Sequence, residues 1–130
     1  MNYTARTSII DLENILNKLG VKNYIICRKG ELKNYLKNKK ITNYIINLDD
    51  VNNGTHWVSC NTTKKLYFDS YMQEKPLEIP KDYKNSSTNK QLQSIESEMC
   101  GQLCCLWLYY VNYKSNTEYL KLFTDVYQGI

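Results

Sequence analysis

His56-Trp57-Val58-Ser59-Cys60-Asn61-Thr62-Thr63-Lys64-Lys65-Leu66-Tyr67-Phe68-Asp69-Ser70 is the stretch on which the fold turns. Two short runs, 56–60 and 65–70, flank the polar turn Asn61-Thr62-Thr63-Lys64. Their aromatic and β-branched content predicts antiparallel strands joined as a hairpin. A hairpin brings its ends together. His56 opens the first strand and Asp69 closes the second, so the two are expected side by side.

Working outward, Ser8 to Leu19 reads as a helix. Ser8 and Asp11 form a capping pair, Ile9, Leu12, Ile15, Leu16 and Leu19 make one apolar face, and Gly20 ends it. Strands are expected at 23–27 and 44–48, the latter running into the acidic turn Asp49-Asp50, with a basic helix at 31–38 between them. Residues 72–89 hold both prolines, Pro76 and Pro80, and read as a surface excursion with one short helical turn. A short strand at 91–95, an apolar buried helix from Met99 to Tyr113 and an amphipathic helix from Asn116 to Tyr127 complete the chain. The pattern predicts a single α+β domain spanning residues 1–130, with a small mixed or antiparallel central sheet flanked by helices.

With 42% hydrophobic and 23% charged residues, the 130-residue chain has the makings of a folded core. No apolar run approaches the ~20 residues of a membrane span, and the N-terminus lacks the apolar core of a secretory signal. A soluble, intracellular protein and reduced thiols are therefore expected. Cys27, Cys60, Cys100, Cys104 and Cys105 lack zinc-ligand spacing, and a single histidine is too few for the common sets, so no metal is expected. Net charge is +4, and Lys29, Lys33, Lys37, Lys39 and Lys40 concentrate it, with Lys64 and Lys65 beyond. A solvated face is the ordinary explanation of such a cluster; a phosphate-binding patch is the functional one.

Chemistry enters with the order of the polar residues. Cys100 opens the most apolar helix, where unpaired N–H groups and the helix dipole favour thiolate over thiol. Gly101 beside it leaves room for a substrate backbone. His56 is the candidate base, and Asp69, with Asp49 and Asp50 as rivals, is the candidate orienter of its imidazole. Trp57 either stabilises an imidazolium through its ring or packs as a core residue. A glutamine amide, from Gln91 or Gln93, supplies an oxyanion donor alongside the Cys100 N–H. A buried Cys acting as a small hydrophobe, or a strand His with a satisfied hydrogen bond, is the ordinary fate of each residue alone. The complete set of base, orienter, oxyanion donor and nucleophile argues for thiol acyl transfer.

Taken together, Gly54-Thr55-His56-Trp57-Val58, the hairpin to Asp69, and Gln93 seven residues before Cys100-Gly101-Gln102-Leu103-Cys104-Cys105 resemble the adenovirus protease (adenain) family and its relatives in large DNA viruses and virophages. The same superfamily holds the SUMO-specific proteases. The resemblance is strongest over residues 43–111. It implies a papain-like, adenain-like core, with His56 as base, Asp69 as orienter, Gln93 rather than Gln91 as oxyanion donor and Cys100 as nucleophile. It further implies a monomeric viral maturation endopeptidase cutting capsid or structural precursors, in the virion and the infected cell. No resident cofactor is implied, and activation by DNA or a peptide is admitted, with DNA meeting Lys29, Lys33, Lys37, Lys39 and Lys40. The alternatives are an isopeptidase removing ubiquitin-like modifiers with the same residues, and a non-catalytic DNA-binding virion protein. Two features depart from the family. The His-to-acid interval is shorter, so the hairpin is trimmed, and no cysteine lies between Asp69 and Gln93 to anchor a disulfide-linked activator.

Overall fold

The computed structural model describes residues 8–48, 56–70, 73–86, 100–115, 117–119 and 121. Helix α1 (Ile9–Leu19) starts where the capping pair predicts: the Asp11 N–H donates to Ser8 Oγ at 3.1 Å and the Ser8 N–H to Asp11 Oδ2 at 3.3 Å. Gly20 ends it in the left-handed conformation, φ 76°, which glycine adopts without a Cβ penalty. Leu12 and Leu16 are fully buried.

Five strands follow, β1 (Tyr24–Arg28), β2 (Asn43–Asn47), β3 (Trp57–Asn61), β4 (Leu66–Phe68) and β5 (Lys84–Asn85), with α2 (Leu32–Tyr35) between β1 and β2 and α3 (Cys100–Tyr113) after β5. They form one mixed sheet in chain order. β1–β2 and β4–β5 are parallel, and β2–β3 and β3–β4 antiparallel. The architecture is α+β, as expected. No helix among the described residues is long and apolar enough to cross a membrane.

Alternation along the strands divides the interior in two. Ile45, Trp57 and Phe68 turn toward α1 and α3, into a core shared with Leu12, Leu16, Trp107 and Leu108. Tyr44, Ile46, Val58, Cys60 and Tyr67 point the other way, onto Leu32, Ile79 and Tyr83. Phe68 stacks on Trp107 at 5.5 Å between ring centroids and meets Tyr119 edge-on at 5.4 Å.

Several expectations need correction. The helix placed at 31–38 is a 3-10 turn, Lys29–Glu31, followed by only four α-helical residues; its end tightens into i to i+3 bonds at Lys37 and Asn38, and Asn38 Oδ1 turns back to accept from the Lys40 N–H. The hairpin turn sits one residue later than read. Asn61 closes β3, while Lys65, at φ 54°, belongs to the turn. Residues 73–86 carry no helical turn. They bury Ile79 and Tyr83 and supply β5, whose two exposed side chains give no alternation to read. The expected strand at 91–95 lies outside the described residues. Of the expected C-terminal helix, residues 117–119 and 121 are helical, and the rest falls outside the description.

A buried amide hub ties the turn end of the sheet to α3. Asn43 Oδ1 accepts from Asn61 Nδ2 and Asn112 Nδ2, each at 2.8 Å, while Asn43 Nδ2 donates to the Lys22 carbonyl at 2.7 Å. Replacing Asn43 by Ala, at a position only 2% exposed, removes the acceptor of the buried Asn61 amide and the donor to the Lys22 carbonyl, while Asn112 Nδ2 keeps the Leu108 carbonyl. Asn43→Ala is expected to lower the unfolding free energy by about 2–3 kcal/mol in urea denaturation.

Candidate active site

The non-turn end of the hairpin gathers the polar residues. His56 immediately precedes β3, and its carbonyl still accepts from the Leu48 N–H at 3.0 Å, which fixes the backbone beneath the ring. Extending the β3–β4 register by one pair sets Asp69 opposite Val58, on the face that Val58 shares with His56. The acid is thereby a diagonal neighbour of the imidazole. His56 Nε2 and Asp69 Oδ1 lie 2.8 Å apart, and the second carboxylate oxygen accepts from the Gln73 N–H at 3.1 Å. Asp69 is wholly buried and His56 is 9% exposed. A carboxylate this deep needs donors, and each oxygen has one.

Cys100 reaches the same place from the other side. It opens α3, which packs across β3, and its Sγ accepts from the Trp57 backbone N–H at 3.4 Å. With Nε2 committed to Asp69, Nδ1 is the ring atom left to exchange a proton with the thiol. The electrostatics match the layout. Burial alone would lower the basicity of His56, but the Asp69 hydrogen bond and the proximity of Asp69 and Cys100 outweigh it. The ring is pushed up to about 9 from an ordinary 6.5.

What sets Cys100 apart from the other thiols is its neighbours, since it too is buried, 4% exposed, in the first core. Burial pushes Cys27 and Cys105 up to about 12 and raises Cys60 and Cys104 as well. All four sit in the two cores as small apolar groups.

The structure therefore brings His56, Asp69 and Cys100 together. Gly101 is buried as the second residue of α3. The Trp57 ring is a core residue, 6% exposed and clustered with Cys100 and Cys104. Gln93, its competitor Gln91, and Asp49 and Asp50 lie outside the described residues. The lysine cluster resolves into different parts. Lys33, Lys37, Lys39 and Lys40 are exposed and Lys29 is half-buried, whereas Lys64 Nζ donates to the Val111 carbonyl at 2.7 Å and caps α3, and Lys65 pairs with Asp82 at 2.9 Å.

Sequence reasoning missed three contributors. The N–H groups of Trp57 and Gln73 are backbone donors, which any residue but proline supplies, so no pattern could mark them. The third is a cavity of about 650 Å³ that Trp57 helps to line. Ile9, Ile26, Cys27, Arg28, Asn47 and Trp57 line it, drawn from segments far apart in the chain. Trp57 is common to this cavity and to the thiol, whose Sγ its backbone N–H meets.

Comparison of the chain with protein-family models, with curated proteins and with solved structures returns no match.

The raised imidazole makes a signed prediction. A group whose folded pKa exceeds its unfolded value stabilises the fold fully below the unfolded value and loses that contribution as pH rises through the folded one. The stability gap between wild type and Asp69→Asn, read by urea denaturation, is therefore expected to be widest at or below pH 6.5 and to close as pH rises through about 9.

Proposed function

We propose that this chain is a cysteine endopeptidase of the adenain-like type, built on a papain-like core and serving viral maturation by cutting structural precursor proteins. The observation that carries the reading is the convergence of Cys100 and Asp69 on His56. The Trp57 N–H at the sulfur and the Gln73 N–H at the carboxylate give each partner of the imidazole a backbone anchor.

On this reading His56 takes the proton of Cys100 through Nδ1, and the thiolate attacks the scissile carbonyl. The imidazolium then returns the proton to the leaving amine, leaving an acyl-thioester that water hydrolyses. Asp69 keeps Nε2 protonated and stabilises the positive ring. The Cys100 N–H at the opening of α3 faces the developing oxyanion, and Gln93 is proposed as the second donor by the resemblance alone. The cavity along Ile9, Ile26 and Trp57 receives substrate side chains next to the bond being cut.

Site-resolved alkylation tests this directly. Iodoacetamide at neutral pH is expected to modify Cys100 at least ~10-fold faster than Cys27, Cys60, Cys104 or Cys105, and His56→Ala is expected to remove the preference. Equal, slow modification of all five thiols in both proteins would refute a His-activated nucleophile. Cys100→Ala is expected to leave precursor proteins uncut. Labelling of Cys100 by a ubiquitin-family probe with a reactive C-terminus would move the assignment to the isopeptidase. The substrate groove has its own check. Ile9 is half exposed, so Ile9→Glu is compatible with the fold. It is expected to lower kcat/KM on peptide substrates by about tenfold while iodoacetamide alkylation of Cys100 keeps its wild-type rate.

A further inference from the structure

Residues 73–86 are irregular, and an irregular segment must still satisfy its backbone polar groups. Two prolines remove donors from it. Ile79 N–H bonds the Pro76 carbonyl and Tyr83 N–H the Pro80 carbonyl, each at 3.1 Å, so the segment folds into two successive turns. At their centre stands Lys75. Its ammonium faces three main-chain oxygens, those of Tyr83 at 2.5 Å and of Pro80 and Lys81 at 3.4 Å each. Three carbonyl dipoles converging on one half-buried cation hold the turns closed in a way that neutral contacts cannot.

Both ends of this clamped segment touch the candidate catalytic strand. Beyond the turns, Lys84 N–H donates to the Lys65 carbonyl at 2.9 Å, and Ser86 donates to the Tyr67 carbonyl from its N–H at 2.7 Å and its hydroxyl at 3.1 Å. Before them, two residues ahead of Lys75, the Gln73 N–H meets Asp69 Oδ2. Asp82, on the same segment, forms its ion pair with Lys65 at 2.9 Å and also feels the charge of Lys75.

We propose that Lys75 is a positioning residue for the candidate catalytic acid: by gathering the carbonyls of Pro80, Lys81 and Tyr83, it sets the loop in the conformation that delivers the Gln73 N–H to Asp69. The inference rests on the reading of His56 and Asp69 as base and orienter, and adds a residue that touches neither. Its effect passes along a short chain of bonds, from ammonium to loop carbonyls, loop to Gln73 N–H, N–H to carboxylate, and carboxylate to imidazole. Without the clamp, Asp69 loses a fixed donor on one oxygen and holds the ring less firmly with the other.

The chain has one histidine, so its imidazole gives a single resonance set in proton–carbon NMR. Titration of intact protein would follow His56 directly, with Asp69 and Cys100 the titratable groups that act on it among the described residues. In wild type the midpoint is expected near 9. In Lys75→Met it is expected to fall by at least ~0.5 unit, with iodoacetamide alkylation of Cys100 at pH 7 slowed several-fold. Lys75→Arg, which keeps a cation among the carbonyls, is expected to recover both readings. Gln73→Pro, which deletes the N–H itself, is expected to reproduce Lys75→Met, and it decides the matter if Lys75→Met does not fold. Lys64→Met serves as control: it strips the cap from α3 at the opposite end and is expected to cost stability while leaving the His56 midpoint in place. The proposal is overturned if folded Lys75→Met or Gln73→Pro titrates and alkylates like wild type. A wild-type midpoint near 6.5, with Cys100 no faster than the other thiols, is a different failure. It removes the acid–base reading itself, and this proposal with it.

Discussion

β3 lies between β2 and β4 and under α3, and its register is the constraint that everything else obeys. Side chains alternate with a period of two. Trp57 therefore goes to the α-helical core, Val58 and Cys60 go to the core under Tyr83, and Asn61 meets the Asn43 hub. A slip of one residue would exchange the two sets and put Ser59 and Asn61 where Val58 and Cys60 now pack. The strand is buried along its whole length, so no face tolerates the exchange. The amide hub guards the same register at the turn end, where an offset would part the buried Asn61 amide from Asn43.

The candidate site uses that constraint at the strand's other end. His56 stands one residue before the ladder of side chains begins, anchored by its carbonyl and facing Asp69 across the pair. The sulfur arrives on a rigid helix rather than a loop, and the Trp57 N–H marks where it stops. Two groups are thus positioned by one hairpin and the third by helix–sheet packing, which is how a small domain holds three side chains without a large scaffold.

Local signals in the sequence reported local structure well. The Ser8–Asp11 capping pair and Gly20 bounded α1, the polar turn between the runs 56–60 and 65–70 marked the hairpin, and the apolar run after Met99 marked α3. The His56–Asp69 pairing was legible because it follows from a hairpin, a short-range object. What stayed hidden was made by long-range or backbone terms. β5 owes its existence to hydrogen bonds donated to the Lys65 and Tyr67 carbonyls rather than to apolar side chains. Lys64 looked like part of a charged patch because sequence does not show that a helix ends beside it. The helix at 31–38 failed early because Asn34 and Asn38 are weak helix formers and compete for the backbone with their own amides.

The order of strands in space is the order of strands in the chain, and this has a consequence for how the protein is made. Each strand can pair with the one synthesised just before it, and the hairpin holding His56 and Asp69 closes over a short loop. Cys100 comes from a helix that follows the whole sheet and must dock across it. On a ribosome the imidazole–carboxylate pair can form while the thiol is still inside the exit tunnel. The nascent chain therefore carries His56 and Asp69 with Cys100 out of reach, and the three meet only after α3 has emerged and packed.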